Sequence, residues 1–204
     1  MDEKTKSFWS NGLIAKLYRR YAGKRFLKMY KKIAEHVLAE KPRDVLDIGC
    51  GPGDFLFYLS SLNPNLNLTG TDPAPGMVTH ARNKLRDKAK ILEFPAEQQP
   101  FPSNSFDAVT VILTFHHIRE KTGVLQNARK LLRPGGTLII GDIIAKSDLQ
   151  KKFWNFLERI ESVRGYVGHY TSSDLRELAE RVGFNFSIEN VPGMARRYKI
   201  CRLT

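Results

Sequence analysis

Short β-branched apolar runs alternate with stretches of helical periodicity through the middle of the chain. DVLDIG (44–49) reads as a buried strand, and GDFLFYLSSL (53–62) as a helix. LNLTGTD (66–72) is the next strand, and PGMVTHARNKLRDK (75–88) the next helix. AKILEF (89–94) gives a third strand and FDAVTVILTF (106–115) a fourth, the longest and most apolar. KTGVLQNARKLL (121–132) places apolar residues at 124, 125, 128, 131 and 132, which is one helix face, and RPGG stops it. TLIIGDII (137–144) is a fifth strand. Apolar strands alternating with helices indicate a parallel sheet covered on both faces. Right-handed crossovers make it a doubly wound α/β sheet.

The two ends read differently. Phe26, Leu27, Tyr30, Ile33, Val37 and Leu38 share one face of a helix over 24–38, with Lys24, Lys28, Lys31 and Lys32 elsewhere around it. That stripe is expected to pack on the sheet; a membrane surface or nucleic acid is the other use of such a helix. DLQKKFWNFLERIES (148–162) is a second aromatic helix. SSDLRELAERVGF follows, with Ser172 or Ser173 as N-cap and Gly183 as stop. FNFSIEN and RYKICRL, joined around Pro192–Gly193, read as an antiparallel hairpin. No repeat or low-complexity linker divides the chain, so a single domain over 1–204 is expected. Within it, 1–42 is a helical segment, 43–145 the core, and 146–204 further helices and the hairpin.

Composition sharpens this only in places. With 204 residues and 42% apolar content, the chain suits one globular domain. No apolar run approaches the roughly 20 residues that span a bilayer. MDEKTKSFWSNG lacks the apolar core of a secretory signal, so cytoplasmic residence is the expectation, with Cys50 and Cys201 reduced. The net charge of +12 is uneven. Residues 1–42 carry 11 Lys and Arg against 4 Asp and Glu, 43–145 carry 11 against 10, and 146–204 carry 11 against 7. The basic ends leave two readings open, solvated helix faces or attraction of an anionic partner such as nucleic acid.

The chemistry concentrates in VLDIGCGPGDF (45–55). A dinucleotide loop needs G-x-G-x-x-G, whereas Gly49, Gly51 and Gly53 give G-x-G-x-G, with Asp54 in the sixth position. Asp54 and Asp47 flank the loop, and two carboxylates repel a pyrophosphate but attract an ammonium or sulfonium. Asp72, ending the second strand, is placed to accept from both hydroxyls of a ribose. Amine, cationic centre and ribose together describe S-adenosylmethionine.

On these residues the chain resembles the class I S-adenosylmethionine-dependent methyltransferases. It is similar to their small ubiquinone/menaquinone-biosynthesis-like branch. The likeness is close over about residues 40–145 and extends to the tail through strand order; it implies a Rossmann-like sheet, mostly parallel with a C-terminal antiparallel hairpin. It is carried by VLDIGCGPGDF, GTDPAPGMVTHAR, AEQQPFPSNSFDAV and LLRPGGTLII, in that order and at normal spacing. It implies that Asp47, Gly49, Gly51 and Gly53 hold the methionine part of S-adenosyl-L-methionine, leaving S-adenosyl-L-homocysteine as product. Asp72 then holds the ribose with Pro73 beside it, Met77 packs on the adenine, and Ala96 and Glu97 line the adenine edge. Pro95 stands where the family commonly has an acid, so Glu97 is the substitute. Thr114 and Phe115 are expected near the methionine end, at the carboxyl end of the fourth strand. Cys50 reads as a packing residue, because no base or electropositive partner accompanies it.

Within FHHIRE, His116, His117 and Glu120 lack metal-ligand spacing, and no metal is expected. His117 is a general-base candidate, since adjacent histidines on an extended segment point to opposite sides. His169 and Tyr170 border the acceptor pocket, with Tyr170 a second catalytic candidate, or they cap and pack the following helix. SFWSNGLIAKLYRRYAG (7–23) is similar to the family's mobile lid. Methyl transfer from a sulfonium needs alignment and water exclusion more than a dedicated residue. The expected acceptor is therefore a small molecule, apolar or planar by the aromatics Phe8, Trp9, Phe153, Trp154, Phe156, Tyr166 and Tyr170. Nucleic-acid methylation and a non-catalytic cofactor-binding protein are the alternatives.

Overall fold

The structure, a computed structural model, describes residue 7 and residues 12–160, 168–195 and 197–204, with side chains from Phe26 onward except at 158–160. Residues 8–11 of the lid-like segment, with Phe8 and Trp9, lie outside the described residues, and so does Tyr166. The elements run α1 (Gly12–Ala39), β1 (Asp44–Ile48), α2 (Asp54–Leu62), β2 (Asn67–Thr71), α3 (Pro75–Leu85) and β3 (Lys90–Leu92). Then come β4 (Phe106–Ile112), α4 (Lys121–Leu131), β5 (Leu132–Ile143), α5 (Asp148–Ile160), α6 (Ser172–Arg181), β6 (Phe186–Asn190) and β7 (Tyr198–Leu203). Single 3₁₀ turns lie at Arg86–Lys88 and Phe115–His117.

The seven strands form one sheet in the order β3-β2-β1-β4-β5-β7-β6. Strands β1 to β5 pair in parallel, and β7 runs antiparallel to both β5 and β6. The chain winds outward from β1 to β3 and then returns to place β4 on the other side of β1. That reversal opens a crevice beyond the carboxyl ends of β1 and β4, where open α/β sheets bind ligands.

Both faces of the sheet are covered, which is why the central strands are apolar throughout. One core packs α1, α2 and α3 through Met29, Ile33, Val37, Leu56, Leu59, Val78 and Ala81. The other packs α4 and α6 through Val124, Leu125, Ala128, Leu175 and Ala179. The stripe of α1 is spent on the sheet as expected, with Phe26, Tyr30, Ile33 and Val37 buried, although Leu27 is exposed. Gly141 on β5 permits this approach, because a Cβ there would lie 2.6 Å from Ile33 Cδ1.

Three local expectations are corrected. The fourth strand ends at Ile112 rather than 115: Leu113 adopts φ 52° and the chain turns into Phe115–His117. Helix α6 is capped by Thr171, not by Ser172 or Ser173. The Thr171 hydroxyl accepts the Asp174 N–H and Asp174 accepts the Thr171 N–H, a reciprocal pair that neither serine makes. RPGG does end α4, but it lies within β5 as a bulge, since Phe106 pairs Leu132 while Ala108 already pairs Thr137.

Candidate functional site

Asp47 on β1 and Thr110 on β4 are register partners across the crevice, and the Thr110 hydroxyl donates to Asp47 Oδ1 at 2.7 Å. The loop after β1 is tied to β2, with the Gly49 and Cys50 N–H groups donating to the Thr71 carbonyl at 2.7 and 2.9 Å. The Thr114 hydroxyl donates to the Gly49 carbonyl at 3.0 Å. A side chain at Gly49 would put its Cβ 2.2 Å from Thr114 Cγ2, on a backbone already at φ 72°. Asp72, just beyond β2, accepts the Gly51 N–H at 3.0 Å through Oδ2 and the Ala74 N–H at 2.9 Å through Oδ1. These bonds bring Asp47, Asp72 and the glycine loop to one pocket.

The pocket is lined by Asp47, Gly49, Gly51, Asp72, Pro73, Met77, Ala96, Glu97, Thr114 and His117, all singled out in the sequence. Gly53, Phe115 and Tyr170 do not line it. Gly53 instead makes room for α3, since a Cβ there would meet Leu85 Cδ1 at 2.7 Å. Phe115 is fully buried, and its ring packs edge-on against Tyr170 at 5.3 Å. Tyr170 is buried and donates its hydroxyl to Asp142 Oδ2 at 3.1 Å. The histidines are not on an extended segment: in the 3₁₀ turn their rings lie 4.2 Å apart, and only His117 reaches the pocket.

The sequence reading missed Tyr30, Phe55, Ile112, Leu113 and Ile118 as pocket walls. Tyr30 comes from α1, where its place on the apolar stripe suggested core alone; its ring stands 5.9 Å from Phe55. Asp54 lines the pocket too, but its charge is answered by an ion pair with Lys84. Its other oxygen, Oδ2, is buried without a hydrogen-bond partner.

Burial sets the electrostatics. Asp47 is pushed up to about 7 by desolvation and by the charge of Asp72, against the Thr110 hydrogen bond. Asp72 is pushed up to about 6, again by desolvation first, despite its two backbone donors. Among the described residues no Lys, Arg or His forms an ion pair with either carboxylate. Burial, then Asp72 and Asp47, pushes the Cys50 thiol well up, so it stays protonated and unreactive. The arrangement attracts a cation and offers the remaining lone pairs of Asp72 to hydroxyl donors.

A wound sheet with this loop and these carboxylates defines a class, and comparison with known proteins agrees with it. Residues 46–140 match the family model described as a methyltransferase domain. Residues 46–140 thus carry a methyltransferase domain of the class I S-adenosylmethionine-dependent type, and the chain resembles the ubiquinone/menaquinone-biosynthesis branch. A demethylmenaquinone methyltransferase from Deinococcus radiodurans is 36% identical over 148 residues, 68% of this chain and 61% of that protein. The Thermotoga maritima enzyme of the same name is 32% identical over 117 residues, 57% of this chain and 51% of its own. The chain thus spans about half to three-fifths of these relatives. A solved S-adenosylmethionine-dependent methyltransferase from Thermotoga maritima superposes with TM-score 0.72 at 20% identity, covering 97% of this chain and 98% of that one, and shows the shared fold. Among the described residues no helix is long and apolar enough to cross a membrane.

Proposed function

We propose that the chain binds S-adenosyl-L-methionine in this pocket and transfers its methyl group to a small-molecule acceptor, leaving S-adenosyl-L-homocysteine. The observation that carries this is the pair of buried carboxylates, Asp47 and Asp72, facing one pocket with raised proton affinity and, among the described residues, no cation paired to them. When bound, the cofactor supplies a methyl already activated by a positive sulfur.

The residues present fit that group. Asp47, with the unpartnered Oδ2 of Asp54, receives the cationic methionine end. Gly51 faces open space where a Cβ would meet nothing within 4 Å, and there the backbone approaches the ligand. Asp72 accepts from the ribose hydroxyls beside Pro73. Met77 and Ala96 supply the apolar adenine surface, with Glu97 at its edge, and Asn127 holds the Glu97 carbonyl at 2.6 Å. Gly49 and Gly53 shape the loop, and Thr114 clamps it. The core, the basic α1 segment and the C-terminal helices and hairpin act as one domain, with cytoplasmic residence supported by the two buried free cysteines. A small-molecule acceptor is supported by the demethylmenaquinone methyltransferases, whose named substrate is small.

Calorimetric titration with S-adenosylmethionine, S-adenosylhomocysteine and NAD, on wild type and Asp72→Ala, tests the reading. Saturable binding of the two sulfur compounds, lost in the variant, supports it; preference for NAD, or no binding, ends it. Methyl transfer to RNA, with RNA binding that weakens steeply with salt, would replace the small acceptor with nucleic acid.

A further inference from the structure

Seven large apolar side chains are exposed among the described residues, and four of them lie together on α5. Leu149, Phe153, Phe156 and Leu157 follow the i, i+4, i+7, i+8 spacing of one helix face and are 79%, 56%, 60% and 37% exposed. A surface helix ordinarily turns such a stripe inward, as α1 does; α5 turns it outward. Phe153 and Phe156, grouped with the acceptor aromatics in the sequence, therefore face away from the core. The opposite face of α5 is fixed to the protein by other contacts. Lys151 Nζ donates to Asp174 of α6 at 2.8 Å, Asn155 Oδ1 accepts the His169 N–H at 2.7 Å, and Trp154 packs edge-on against the His169 ring at 4.9 Å. The helix is held in place without its apolar stripe.

Size and charge say what the stripe fits. At about 150–200 Å² for a whole side chain, these fractions leave roughly 400 Å² of apolar surface, the scale at which a patch on a monomer is often functional. A stable contact with a second copy needs about 800 Å² on each side, roughly twice what the stripe supplies. A bilayer sets no such threshold, because each apolar side chain that enters the headgroup boundary adds its own burial. The rim is basic. Lys146 and Lys152 are exposed and form no ion pair among the described residues, and Lys152 stands at the edge of the stripe one turn before Phe156. The one acid among the described side chains of α5, Asp148, is paired with Lys151 at 2.8 Å. Residues 146–204 carry 11 Lys and Arg against 7 Asp and Glu, so the field around the stripe favours an anionic surface.

We propose that the outward face of α5 docks the protein on an anionic lipid surface. Phe153 and Phe156 enter the headgroup boundary, and Lys146 and Lys152 meet the acidic headgroups. The helix lies along the surface and does not cross it. It begins just beyond the carboxyl end of β5 and is bonded to His169, whose neighbour Gly168 donates to the His116 carbonyl at 2.8 Å. The docking face thus belongs to the end of the sheet that carries the pocket, although nothing in the proposal depends on which cofactor the pocket holds.

The test is flotation of the full chain with vesicles of phosphatidylcholine alone or with about one-third phosphatidylglycerol. Wild type is expected to bind the anionic vesicles at least about tenfold more tightly than the neutral ones. Phe153→Ser combined with Phe156→Ser changes no charge and should weaken that binding about thirtyfold. Lys146→Gln combined with Lys152→Gln should weaken it about tenfold and flatten its dependence on salt. All four residues are exposed, so an unchanged urea midpoint is expected and shows that the variants are folded. Phe156→Cys carrying a polarity-sensitive dye should shift its emission to the blue on anionic vesicles, the two native cysteines being buried. No binding by wild type, undiminished binding by the serine pair, an unshifted dye, or a wild-type dimer that the serine pair splits overturns the proposal. Undiminished binding would leave lipid attraction to the basic segments alone, and a split dimer would make a second copy the occupant.

Discussion

Three buried aspartates stand at the carboxyl ends of three strands, yet they behave in two ways. Asp47 and Asp72, at β1 and β2, are pushed up to about 7 and about 6. Asp142, at β5, is just as deeply buried, but the adjacent His116 ring and the hydrogen bonds it accepts outweigh desolvation and hold it below the ordinary carboxylate range. Burial acts alike on all three. The difference is that the chain supplies Asp142 with a counter-group, whereas among the described residues Asp47 and Asp72 have none. One end of the crevice is electrostatically complete and the other is half of a pair, its missing half cationic.

The contrast can be broken at its complete end first. Asp142→Ala strands the His116 ring and the Tyr170 hydroxyl, and should cost about 3–5 kcal/mol of stability, seen as a lower urea midpoint. At the incomplete end, Asp72→Ala should weaken S-adenosylmethionine binding about a hundredfold, roughly 2.7 kcal/mol by calorimetry. Asp47→Asn sharpens the contrast by moving stability the other way. The folded value of Asp47, about 7, lies above its unfolded value of 3.8, so ionisation destabilises the fold. Stability is therefore gained as pH falls through about 7 and lost as it rises. The variant should be more stable than wild type by about 1–3 kcal/mol near pH 8 in the absence of ligand, with the gain gone near pH 4, while cofactor binding weakens. The smallest effect is in wild type: affinity for S-adenosylmethionine should fall about tenfold between pH 8 and pH 5, as protons occupy the half-pair. A flat profile would mean the carboxylates are not what the cofactor reads.

Much of this was legible because it is periodic or local. Alternating apolar runs place the five parallel strands, and Asp47 and Asp72 can be assigned to one crevice because both sit at strand ends in a wound sheet. What was not legible depends on side chains far apart in sequence. Asp54 looked like a second free anion until Lys84, thirty residues on, was found paired to it. Asp142 lies within the strand TLIIGDII, and nothing in that run names His116 or Tyr170 as its partners. Periodicity also carried the fourth strand three residues too far. Leu113 and Phe115 are apolar enough for a strand, but a positive φ at Leu113 turns the histidines into a coil where their rings meet.

The place of β7 in the sheet has a consequence in time. It is the last of the seven strands in sequence, yet it lies between β5 and β6 and supplies the pairing partner of Leu138 through Ile143. About 55 residues separate the end of β5 from the start of β7, which at ribosomal rates is roughly 3–11 seconds of synthesis. Throughout that interval the nascent sheet has an open apolar edge at β5, and β6, made near its end, has no strand to pair with until β7 follows. The half that holds the glycine loop can be assembled while the rest is still being made, so the stretch between them is when the newborn chain is most exposed to aggregation.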